Sequence, residues 1–142
     1  LDRWMKNVGK LSNAMDQKGI QIVIMRPIPI FSSDSVSCNS SYLSKLGSNC
    51  HQSKLQYNQI FSVLNKKLEA LRRGDPNITL IDPTDALCTG AEKDFCPRNI
   101  NGKGLYRDSD HLNRQGSAMI SDLLIKAISG KDGDQIRSAG SK

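Results

Sequence analysis

The fold turns on one stretch, Ile20-Gln-Ile-Val-Ile-Met-Arg-Pro-Ile-Pro-Ile30. Its β-branched residues predict a strand, and the lack of strict alternation predicts burial on both faces. Pro27 and Pro29 have no amide to donate, so pairing is expected to end near Arg26. Upstream, Leu1, Trp4, Met5, Val8, Leu11 and Met15 recur at intervals of three and four, the spacing of an amphipathic helix over 1–18 that stops at Gly19. Downstream, Tyr57, Ile60, Phe61, Leu64, Leu68 and Leu71 form the apolar stripe of a second helix over 54–73. Gly74 closes that helix and Asp75-Pro76 turns the chain into a short strand over 78–81. The turn at Asp82-Pro83 opens an irregular stretch over 84–104, with a turn expected at Asn101-Gly102. Asn113 is placed to cap a last helix. Met119, Ile120, Leu123, Leu124 and Ala127 are expected to face inward and Gly130 to end it, with 131–142 a polar, disordered tail.

Helix, strand, helix, strand, helix is the order of an α/β protein, and it predicts a three-layer α/β/α arrangement around a parallel sheet. Two strands are too few for such a sheet, whose strands need cover on both faces. Further strands are therefore expected upstream of Leu1, where the sequence shows no initiator Met. Residues 1–130 then read as the C-terminal part of one domain, incomplete at its N-terminus.

Composition narrows the class. With 142 residues there is room for one domain. No stretch approaches the roughly 20 apolar residues that span a bilayer. The net charge of +6 comes from scattered residues, and its densest clusters, Lys66-Lys67 and Arg72-Arg73, fall on a helical pattern as a solvated face. Aromatic residues make up only 5% and no reader motif is present, so no nucleic-acid partner is expected. The cysteines fall into two local pairs, Cys38 with Cys50 and Cys88 with Cys96. Two disulfides are the first reading, implying an oxidising compartment such as a periplasm. Unpaired buried thiols come second. A zinc site with His51 comes last, because neither spacing is a tight zinc knuckle. The Ser-, Asn- and Gly-rich loop over 31–53 is long enough to need such a tie.

One short block carries chemistry. In Asp108-Ser-Asp-His111, two intervening residues let one turn of backbone bring a carboxylate and an imidazole to the same side. An imidazole can take a proton from a hydroxyl near neutral pH if a carboxylate on its far nitrogen holds one tautomer and orientation. The segment precedes a helix N-terminus, where α/β enzymes assemble their sites. The plainer reading makes His111 a cap or a ligand of a backbone carbonyl, and Asp108 and Asp110 acids favoured near a helix start. Spacing alone does not separate the two.

The longer run Leu105-Tyr-Arg-Asp108-Ser-Asp-His111-Leu-Asn-Arg-Gln-Gly116 resembles the last conserved block of SGNH hydrolases, which have a flavodoxin-like fold. More narrowly, it is similar to the SGNH domain fused to acyltransferase-3-type membrane proteins that acetylate bacterial surface polysaccharides. The strand ending in Arg26-Pro-Ile-Pro29, and Cys88 and Cys96 ahead of the block, fit that layout. The resemblance implies that His111 is the general base, Asp108 its orienting partner, and Gly116 a site of close helix packing. Tyr106 would pack in the core and help shape the site, and Asp110 has no assigned role. It implies a serine esterase or O-acyltransferase acting on acetylated carbohydrate, outside the cytoplasm, with a membrane acyltransferase domain as partner and no metal or cofactor.

The sequence also departs from the family. It contains no Gly-Asp-Ser tripeptide to supply the nucleophile, and the blocks carrying the oxyanion-hole Gly and Asn are not found. Ser109 lies between the pair rather than opposite His111 and is a poor substitute. Each missing oxyanion donor costs about 10²–10³ in rate, so this chain alone is expected to be inactive. Two other readings stand beside this one: a non-catalytic binding module that keeps the fold, and a small metal-binding protein using Cys and His.

Overall fold

The computed structural model describes residues 1–31, 50–89 and 94–129. Most of the expected loop over 31–53, Cys38, Gly130 and the expected tail over 131–142 lie outside the described residues. Helix α1 (Asp2–Asp16) leads to strand β1 (Ile22–Met25). Strand β2 (His51–Ser53) runs directly into helix α2 (Lys54–Gly74). Strand β3 (Ile78–Ile81) and the short helix α3 (Thr84–Leu87) follow. Strands β4 (Phe95–Pro97), β5 (Asn99–Ile100) and β6 (Lys103–Gly104) precede the last helix, α4 (Arg114–Ile128).

β1 and β3 pair in parallel, Ile22 beside Ile78 through Met25 beside Ile81. Two parallel strands joined through a helix define an α/β fold, and α2 and α4 both pack on β3. Among the described residues the sheet has these two strands only, so a full three-layer sheet is not what this chain displays. The stretch over 84–104, expected to be irregular, instead forms α3 and three short strands. β2 and β4 pair antiparallel, as do β5 and β6. The turn between β5 and β6 falls at Asn101-Gly102, where φ is +52° and +76°. That left-handed pair is the backbone a two-residue hairpin requires, and it is why Asn-Gly stands there.

Local chemistry sets the helix ends. Ser53 accepts from the Gln56 amide while the Gln56 side chain accepts from the Ser53 amide, a reciprocal cap that starts α2. Asn113 Oδ1 accepts from the amides of Gln115 and Gly116 at 2.8 and 3.0 Å and starts α4. Its Nδ2 donates to the Gly104 carbonyl at 2.8 Å, which ties the helix start to β6.

Packing departs from periodicity at two places. α1 rests on its neighbours through Gly9, whose would-be Cβ lies 4.0 Å from Leu71 Cδ1, and through buried Ser12. Ser12 accepts from Asn77 Nδ2 at 3.3 Å. Trp4 and Leu11, members of the apolar stripe, stay about half exposed at 47% and 50%. In α2, Tyr57 and Leu68 are buried, but Ile60 is turned outward. The deepest core is elsewhere: Phe31, Leu87, Cys88, Cys96, Leu105, Tyr106 and Ile120 cluster under the segment that carries Asp108 and His111.

Candidate active site

Asp108 and His111 sit on a small closed loop. Tyr106 and Leu112 face each other as an antiparallel bridge, and the Arg107 amide donates to the His111 carbonyl at 2.8 Å. Below that closure, Leu105 donates to Arg98 at 2.8 Å and accepts from the Asn113 amide at 2.9 Å. Five residues between such stems have little freedom, so the loop holds its side chains in a fixed relation.

Within the loop, one carboxylate oxygen gathers three donors. Asp108 Oδ1 accepts from the His111 amide at 2.8 Å and the Asp110 amide at 3.2 Å. It also lies 2.9 Å from His111 Nδ1. The amide bonds are the local kind that Asp makes two and three residues ahead, so the sequence itself aims this carboxylate. The partial burial of Asp108 favours its neutral form, yet the amide of Asp110 and the ring and amide of His111 outweigh it. Together they hold the carboxyl well below the usual carboxylate range. An ionised carboxylate can only accept, so His111 Nδ1 is the donor and carries the proton. When the ring is neutral, the lone pair is therefore on Nε2, and the imidazole side chain is 62% exposed.

Asp110 lies on the same nitrogen: its Oδ1 is 3.1 Å from His111 Nδ1. Ser109 Oγ turns to Asp110 Oδ1 at 3.3 Å. Asp108, Asp110 and His111 place one ligand atom each within 4.8 Å of one another, which is a geometry a cation could use. Exposed acids beside a histidine commonly stand without one, and no metal is assigned.

Two long-range contacts fix the loop from below. The Phe31 amide donates to the Ser109 carbonyl at 2.9 Å, joining the segment that leaves β1 to the dyad loop. Tyr57 Oη donates to the Pro27 carbonyl at 2.8 Å, and Gln52 Oε1 accepts from the Ile30 amide at 3.1 Å, steadying that segment on its way. Arg98 supplies the second contact. It is buried, its Nη2 donates to the Asp108 carbonyl at 2.7 Å, and its guanidinium sits 5.1 Å from the Phe31 ring centroid. Nothing in the sequence around Pro97-Arg98-Asn99 marks this residue. Its importance comes from two partners, one of them 67 positions away in sequence.

Tyr106 is a core residue, edge-on to Phe31 with centroids 4.9 Å apart. Burial pushes its hydroxyl far above the usual phenol value, against the opposing charge of Arg98. That hydroxyl has no hydrogen-bond partner among the described residues. Gly116 faces the Leu105 carbonyl, where a Cβ would come within 2.2 Å of the oxygen. Only glycine allows α4 to start that close to the strand-like segment below the dyad.

The thiols have another job. Cys88 and Cys96 form a disulfide that joins the end of α3 to β4, two residues before Arg98. Cys50 is also disulfide-bonded; Cys38, its expected partner, lies outside the described residues. A zinc site built from these thiols and His51 is thereby overturned, because an oxidised sulfur is no longer a thiolate ligand.

A parallel-sheet α/β chain whose closed loop holds an Asp–His pair at a helix start has the makings of a hydrolase-like domain. A family model described as SGNH domain (fused to AT3 domains) matches residues 4–126, and the chain belongs to that family. No curated protein and no solved structure is detectably similar to it. The match makes the chain an esterase- or acyltransferase-associated module of a family described as fused to AT3 domains. Among the described residues no helix is long and apolar enough to cross a membrane.

Proposed function

We propose that this chain supplies the Asp–His part of a serine-dependent SGNH O-acyltransferase or esterase acting on acetylated carbohydrate outside the cytoplasm. The observation that carries the reading is the 2.9 Å contact between His111 Nδ1 and an Asp108 carboxylate already fixed by two backbone amides. His111 Nε2 accepts the proton of a serine hydroxyl as that oxygen attacks an acyl carbonyl, and Asp108 stabilises the imidazolium that forms. The acyl group then passes to a sugar hydroxyl or to water. In this reading the serine and the oxyanion donors are supplied by residues other than those of the Asp–His loop. The imidazole side chain, 62% exposed, leaves room for them.

The test uses the complete domain and a chromogenic acetyl ester. His111→Ala abolishes turnover, and Asp108→Asn lowers it severely, by up to the roughly 10⁴ lost where a single orienting carboxylate is neutralised. Full activity in the His111 variant rejects the assignment. The absence of a Gly-Asp-Ser tripeptide favours a second reading, a non-catalytic carbohydrate-binding module with the same fold. Binding of an acetylated glycan by this chain, unchanged in His111→Ala, would select it.

A further inference from the structure

Both carboxylates of the loop converge on one ring nitrogen. His111 Nδ1 is 2.9 Å from Asp108 Oδ1 and 3.1 Å from Asp110 Oδ1. Asp108 is tied by the amides of Asp110 and His111 and by Arg107, whose Nε lies 3.5 Å from Asp108 Oδ2. Among the described residues, Asp110 accepts a side-chain hydrogen bond from the Ser109 hydroxyl, and its Oδ1 stands close to the ring nitrogen. Here the turn closed by Asp108 carries the Asp110 side chain to the same edge of the ring.

We propose that Asp110 is a second positioning carboxylate for His111, sharing with Asp108 the task of keeping the ring proton on Nδ1 and the basic lone pair on Nε2. The chemistry follows from the acceptor-only character of an ionised carboxylate: two of them on one edge disfavour the tautomer that would turn a lone pair toward them. A ring that loses Asp108 is still held by Asp110 in the orientation needed to receive a proton at Nε2. This inference rests on His111 being the base, and the measurement separates the two claims.

The readout is the tautomer of the neutral His111 ring, from long-range proton–nitrogen correlations of the ¹⁵N-labelled chain at about pH 9, well above the ordinary imidazole value. His111 in the unaltered chain shows the Nδ1–H form, where a solvated imidazole favours Nε2–H. Asp108→Asn retains an excess of Nδ1–H, and adding Asp110→Asn lowers the ratio of the two forms about fivefold, the upper end of what one exposed ion pair sustains. Asp110→Ser in place of Asn gives the same fall, since it removes the carboxamide as an alternative acceptor. Equal ratios in the Asp108→Asn chain and the double variant overturn the role of Asp110 and leave Asp108 untouched. A solvent-like ratio in the unaltered chain overturns both. Asp110→Asn alone keeps every bond of Asp108 and covers the case in which Asp108 variants do not fold: it lowers the ratio about twofold, and no change overturns the proposal.

Discussion

The buried guanidinium of Arg98 donates a 2.7 Å hydrogen bond to the backbone carbonyl of Asp108. A charged donor held against a partly buried carbonyl anchors the dyad loop to the core beneath it, while the face of Phe31 shields the same cation. Arg98→Met keeps the bulk but removes the donor, and leaves that carbonyl short of a partner. The expected cost is about 2–3 kcal/mol in a urea unfolding titration. Arg98→Lys should recover little of it, because an ammonium cannot stack on Phe31 and reach the carbonyl with the same planar fork.

Two glycines in helices should respond oppositely to alanine. At Gly116 the new Cβ meets Leu105 O at 2.2 Å and Leu112 Cδ2 at 2.8 Å, and the first of these is backbone that cannot swing away. Gly116→Ala should destabilise by about 2 kcal/mol or more, overpacking outweighing helix propensity. At Gly9 the nearest atom is 4.0 Å away, so Gly9→Ala should stabilise by up to about 1 kcal/mol. Thermal melts of the two variants read the difference in sign directly.

The pH dependence has a definite direction at each end. Asp108 is held below the ordinary carboxylate range in the folded chain. Its contribution is therefore present above the unfolded value of about 3.9 and is lost as pH falls from there toward the folded value. Asp108→Asn should flatten the acid limb of a plot of urea midpoint against pH. At the alkaline end, burial and the nearby charge of Asp82 push Tyr57 up to about 12, against Asn65 and Arg26. Its contribution is complete below the unfolded value of about 10 and is lost as pH rises through the folded one. Tyr57→Phe should flatten that limb.

The Cys88–Cys96 disulfide spans a sequence separation of 8 and ends two residues before Arg98. Cys88→Ala with Cys96→Ala should cost about 2–3 kcal/mol, the size expected from closing so short a loop. Because β4 leads straight into Arg98, the same change should weaken the hold on the Asp108 carbonyl. Faster hydrogen exchange of the Asp110 and His111 amides, compared with the oxidised chain, is the measurement that checks it.

Elements set by neighbours in sequence could be read from it. The spacing of apolar residues gave α2 and α4 nearly to the residue, the prolines after Met25 marked the end of β1, and Asn113 capped its helix. The dyad loop was legible for the same reason, since an Asp that bonds amides two and three positions ahead is a local event. The family block in turn pointed to Gly116, whose reason for being glycine became visible only as the Leu105 carbonyl above its Cα. Other readings were incomplete. Three short strands and a one-turn helix formed within 84–104, where pairing between segments distant in sequence, such as β2 with β4, overrides weak local patterns.

Sequence by itself determined the bounds of α2 and the start of α4, and the short-range hydrogen bonds that aim Asp108 at His111. Those interactions reach four residues or fewer, so the neighbours that make them are written side by side in the chain. Tertiary structure alone decided that α1 rests on Gly9 and Ser12 while Trp4 and Leu11 stay half exposed, and that Ile60 turns outward. It alone placed Arg98 under the Asp108 carbonyl and the Phe31 amide on Ser109. Such contacts depend on which surfaces meet at close-packed density, and that choice is made by the shapes of all the elements at once.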